Sequence, residues 1–136
     1  MFDRFDPAAK RVLRGAEQAC RNHNHYYVGV GHLLLALLEE HDAVVDERLR
    51  STGTPPSDVI ADLRRALGTG DDRSWDGILI TPRVARVVRA AEEAAGPAEE
   101  VRPSHLLDAI LREGGLVTEL LARYHGNSAT PARVRL

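Results

Sequence analysis

Apolar residues recur along this chain at helical intervals. Ala9, Val12, Leu13, Ala16 and Cys20 fall at i, i+3, i+4, i+7 and i+11, which is one face of a helix. Asp6-Pro7 ahead of them supplies a side-chain cap and then a proline suited to the first helical position. From Gly31 to Glu40 the run His32-Leu33-Leu34-Leu35-Ala36-Leu37-Leu38 is apolar almost all round and predicts a buried central helix. Asp42 to Arg50 predicts a short helix ended by Gly53. Thr54-Pro55-Pro56 restarts the chain, and Val59, Ile60, Leu63 and Leu67 predict a further amphipathic helix that stops at Gly68.

The stretch from Gly68 to Gly77 breaks this rhythm. It holds Gly, Asp, Ser and the single Trp, Trp75, with no helical period, and reads as an internal linker. Beyond it Thr81-Pro82 repeats the cap-and-proline signal, and Val84, Val87, Val88, Ala91 and Ala95 repeat the spacing of the first helix. Gly96-Pro97 ends that helix. Pro103 opens another, with His105-Leu106-Leu107 and Ala109-Ile110-Leu111, and a last short helix is expected from Leu116 to Tyr124. The tail 127–136 reads as loosely held. Nothing reads as a strand. Val28-Gly29-Val30 comes nearest, and its glycine argues against it.

The two halves match residue by residue. Shifted by 75, Pro7–Glu17 overlays Pro82–Glu92 with identities at Pro7/Pro82, Arg11/Arg86, Val12/Val87, Arg14/Arg89, Ala16/Ala91 and Glu17/Glu92. Shifted by 73, His32–Gly53 overlays His105–Gly126, with His32/His105, Leu33/Leu106, Leu34/Leu107, Ala36/Ala109, Leu38/Leu111 and Glu40/Glu113 among the identities. A helical unit that cannot bury its own apolar face packs against its copy. The expectation is one all-α, pseudo-two-fold domain of seven to eight helices over 1–126: repeat one at 1–67, linker at 68–79 and repeat two at 80–126.

Composition narrows the function. Eighteen Lys and Arg against twenty Asp and Glu leave a net charge of −2, which argues against a generally basic nucleic-acid binder. Aromatics are only 4% of the chain, too few for base-stacking platforms. One cysteine, Cys20, excludes an internal disulfide and suits a reducing compartment. No run approaches a membrane span, and Met1-Phe2-Asp3-Arg4-Phe5 has no apolar leader core, so a cytoplasmic location is expected. No Gly-x-x-x-x-Gly-Lys-[Ser/Thr] phosphate loop occurs, so nothing here would cradle a nucleotide.

Taken together, Met1-Phe2-Asp3-Arg4-Phe5, the segment from Asn24 to Gly29 before the His-Leu-Leu-Leu-Ala-Leu-Leu-Glu run, Thr81-Pro82-Arg83 and the duplication resemble the N-terminal Clp repeat domain of ClpC/ClpA-type AAA+ ATPases. The resemblance implies a compact two-repeat module that receives substrates and adaptors for an ATPase ring and its protease. It also implies a stand-alone receptor without the motor. Members commonly carry Gly-Thr-Glu-His at the start of the buried helix, and in some that Glu grips the guanidinium of phosphoarginine. Here Gly31 and Ser104 stand at those positions. A carboxylate is the natural bidentate partner of a guanidinium, so its loss from both copies argues against that recognition mode. The family's groove for peptide-like ligands would keep Phe2 but carry Ile80 where an aromatic is usual.

Other residue clusters are weighed on their own chemistry. His32 and His105 hold equivalent places and are expected to tie a helix start to a neighbouring loop. His23-Asn24-His25, with His32 and Cys20, lacks metal-ligand spacing and reads as an exposed polar loop, with Cys20 a small core residue. No metal and no cofactor is expected. Arg83, Arg86 and Arg89 form a basic stripe that suits an acidic adaptor or simple solvation, and Trp75 is a candidate binding anchor. The favoured function is a non-enzymatic binding module for proteins or peptide-like ligands of a Clp system. The alternative is a repurposed fold that binds a small molecule or performs a step of chemistry in the groove bounded by Phe2, Ile80 and the Arg83–Arg89 stripe.

Overall fold

The computed structural model describes residues 4–70 and 79–113. Phe2, Trp75, the helix expected from Leu116 to Tyr124 and the tail lie outside these residues. Six helices occur among those described: α1 (Pro7–Asn22), α2 (Val30–Glu39), α3 (Ala43–Ser51), α4 (Pro56–Leu67), α5 (Pro82–Ala95) and α6 (Pro103–Glu113). Their starts follow the sequence signals. The Asp6 carboxylate accepts the Ala9 N–H at 2.7 Å, Asp42 accepts from Val44 and Val45, and the Thr81 hydroxyl accepts from Val84. Asn24 ends α1 in the left-handed region at φ 57°, with its N–H on Arg21 and that of His25 on Cys20. That pair of bonds turns the chain back on itself, and asparagine tolerates the conformation better than most residues.

In the core, α2 is sheathed on every side. Leu33, Leu34, Leu37 and Leu38 are fully buried, each worth about 2 kcal/mol of burial. The first helix of each repeat lies along the second, α1 on α2 and α5 on α6, and α2 and α6 meet across the repeats. Gly15 lets α1 approach closely, since a Cβ there would sit 3.1 Å from that of Ala36.

One expectation is corrected. Two strands are present: β1 (Tyr27–Val28) pairs in parallel with β2 (Leu79–Ile80), Tyr27 opposite Leu79 and Val28 opposite Ile80. Gly29, the residue that argued against a strand, instead caps α2. A second parallel bridge joins Phe5 to Val101. The two bridges are the same contact made twice. Phe5 and Ile80 precede the first helix of their repeats, Val28 and Val101 precede the second, and each partner lies in the other repeat. Asp6 N–H to the Val101 carbonyl and Thr81 N–H to the Val28 carbonyl are the matching hydrogen bonds, at 2.9 and 3.2 Å. The pseudo-two-fold axis therefore passes between two crossed straps.

Candidate protein-interaction surface

The β1–β2 ribbon gathers apolar side chains at the surface. Tyr26, Leu79 and Ile80 are 58%, 60% and 50% exposed, and Tyr27 is also exposed. Side chains alternate along a strand, so Tyr26, Val28 and Ile80 share one face, and His25, Tyr27 and Leu79 share the other. Only Val28 and His25 of these are buried. The ribbon runs directly into α5, whose exposed face carries Arg83, Arg86 and Arg89.

The arginines have different fates. Arg86 bonds Glu113 through Nε and Nη2 at 3.3 and 3.0 Å, tying α5 to the end of α6. Arg11 bonds Glu40 in the same way in repeat one, at 2.9 and 2.7 Å. Arg86 is thus a repeated internal brace. Arg89 lines a cleft of about 370 Å3 with Arg4, Glu92, Glu93, Gly96 and Pro97. Arg4 is held there by the carbonyls of Gly96 and Glu99. Arg83 stays on the exposed face of the first turn of α5.

Gly31 and Ser104 lie in the first turns of α2 and α6, both half-buried. A Cβ on Gly31 would stand 3.1 Å from Leu67 Cδ2, so the end of α4 closes over the place where a side chain would project. His32 and His105 make the same contact. The Nδ1 of His32 accepts the Gly29 N–H, and that of His105 the Arg102 N–H, each at 2.9 Å.

The histidine-rich loop departs from expectation. His25 is buried, with Nδ1 2.8 Å from His32 Nε2. It is covered because the chain beyond α4 lies on this loop: Gly70 N–H donates to the His23 carbonyl at 2.7 Å, and His23 Nδ1 donates to the Gly68 carbonyl at 2.6 Å. Cys20, also buried, directs its thiol at the His25 and Tyr27 carbonyls. Burial, reinforced by His25 and His23, lowers the pKa of His32 to about 4, and burial with His23 lowers that of His25. Among the described residues no group of three or more His, Cys, Asp or Glu is arranged to hold a metal ion.

The model of the Clp repeat N-terminal domain family matches residues 4–123. The chain belongs to this family. It is 30% identical over 99% of its length to the chloroplastic chaperone protein ClpC of Pisum sativum and, equally, to a chloroplastic ClpA homolog of Brassica napus. The chain spans about 15% of the length of each. Among solved structures, a chain from a malarial protein secretion system aligns with TM-score 0.75 at 17% identity, covering 90% of this chain and 85% of that one. The N-terminal domain of ClpD from Arabidopsis thaliana aligns with TM-score 0.58 at 20% identity, covering 91% and 96%. These two likenesses establish the Clp N-terminal fold. Among the described residues no helix is long and apolar enough to cross a membrane.

Proposed function

We propose that this Clp repeat domain is a protein-binding module. It takes substrates, adaptors or peptide-like ligands of a Clp chaperone–protease system, by binding rather than catalysis. The observation that carries the reading is the ribbon at the seam of the repeats, where Tyr26, Tyr27, Leu79 and Ile80 stand exposed beside Arg83 and Arg89. A contiguous apolar patch rimmed by charge is the usual mark of a protein-contact surface. The closed approach of Leu67 to Gly31 supports a ligand other than phosphoarginine, because no carboxylate is offered there and little room is left for one. The buried thiol of Cys20 suits a reducing compartment such as the cytoplasm.

Fluorescence anisotropy tests this with two labelled probes, an unfolded model polypeptide and a purified Clp adaptor. Saturable binding of at least one is expected, weakened about tenfold by Tyr26→Ser with Ile80→Ser, as loss of roughly 1.4 kcal/mol requires. Failure of both probes to bind, or equal binding by the variant, overturns the reading.

A further inference from the structure

The hydrogen-bond pattern around His25 and His32 fixes where every proton sits. A backbone amide only donates, so Gly29 N–H makes His32 Nδ1 an acceptor, without a proton. Neutral His32 therefore carries its hydrogen on Nε2 and gives it to His25 Nδ1. An added proton has no good place. On His32 it sets Nδ1–H against Gly29 N–H. On His25 it sets two hydrogens between the rings, or forces His32 into the tautomer that opposes Gly29. In every case the pair or the start of α2 comes apart.

Among the described residues the surroundings offer no relief. His23 stacks on His25 with centroids 6.0 Å apart, and Tyr27 stacks on it at 5.4 Å. From α1 comes the Cys20 thiol, already directed at two carbonyls. Gly68, Thr69 and Gly70 bring no ionisable group, and α4 reaches the start of α2 through Leu67. Among the described residues, the groups acting on the two rings are histidines, with no carboxylate among them to welcome a positive charge.

What rides on the pair is the route out of repeat one. Gly70 crosses the loop so closely that a Cβ would fall 2.5 Å from the Asn24 carbonyl oxygen and 2.6 Å from the His25 ring. Counting back from the matched residues Val28 and Val101, repeat two has Ala98 where repeat one has His25. Among the described residues His105, only partly buried, has no such partner. Among the described residues the pair occurs in repeat one alone.

We propose that the His25–His32 pair is a proton-sensitive latch: one added proton releases the first turn of α2 together with residues 68–70, while the rest of the domain stays folded. Amide hydrogen exchange at pH 7 and pH 5, corrected for intrinsic rates, tests it. With His32 near pKa about 4 when closed and about 6.5 when open, protection at Gly29 and Gly70 falls about 20-fold between these pH values. At both pH values the amides of α5 stay better protected than those of Gly29 and Gly70, because α5 opens only with the whole domain. The double variant His25→Asn, His32→Gln keeps an acceptor for Gly29 and a donor–acceptor contact between the side chains, with nothing to titrate, and its Gly70 protection is unchanged by pH. Protection at Gly29 and Gly70 as high as that of α5 at both pH values, unchanged wild-type protection, or the same loss in the double variant overturns the latch. Should the variant not fold, nitrogen-15 spectra of the wild-type histidines decide: Nε2–H on His32 at pH 7 is required, and Nδ1–H refutes it.

Discussion

Phe5 and Ile80 occupy one position in two copies of the same unit, yet Phe5 is 1% exposed and Ile80 50%. Replacing each with alanine asks whether burial, rather than place in the repeat, sets the energetic weight. Phe5→Ala empties a closed site against the core and should cost about 3–5 kcal/mol. Ile80→Ala removes three carbons at about 0.8 kcal/mol each from a site half in water, leaving about 1 kcal/mol and no cavity. Urea unfolding followed by far-ultraviolet circular dichroism measures both, with an unchanged m-value as the check that the denatured state is the same. Costs that agree within about 0.5 kcal/mol, the usual scatter between such measurements, would refute the reasoning. The same variants separate folding from function, since Ile80→Ala should weaken partner binding far more than its small stability loss explains.

Three further outcomes are expected. Gly31→Glu pushes on Leu67 and should destabilise by about 1–3 kcal/mol; Leu67→Ala in the same chain should recover part of that, visible as a non-additive double-mutant cycle in urea. Free phosphoarginine at millimolar concentration should leave the melting temperature of the unmodified protein where it is, and a clear rise by differential scanning fluorimetry would reverse the reading of Gly31 and Ser104. The lowered pKa of His32 means that the unfolded chain binds the proton more tightly, so its contribution is fully present above about pH 6.5 and is lost as pH falls toward about 4. That amounts to about 3 kcal/mol over the interval, and a urea midpoint that does not move between pH 6.5 and pH 4.5 would contradict it.

The six described helices, the caps at Asp6 and Thr81 and the duplication were legible because each rests on local information, namely spacing, capping side chains and the prolines, whereas the cap of α2 falls on Gly29. The ribbon was not. Each strand is two residues long, too short to show alternation, and Tyr27 finds Leu79 only after the chain has passed through three more helices. His25 escaped for a related reason. Its own neighbours are polar, and what buries it is the distant passage of residues 68–70. The brace on Arg86 did leave a signal: Arg11/Arg86 and Glu40/Glu113 are both identities of the repeat, and a charge pair kept in both copies points to a contact. Treating the arginines as one stripe obscured it.

The crossed straps also say something about how such a domain comes to exist. Phe5 finds its strand partner in the second repeat and Ile80 finds its own in the first, so neither half can complete itself. A single repeat made alone would present the open seat beside Val28, or beside Val101, to the leading segment of an identical molecule. Two such molecules would satisfy each other through a self-complementary, closed C2 contact. The present chain makes both contacts within one polypeptide, so its two seats need not stay alike: Ile80 stands half exposed where Phe5 is buried in the core.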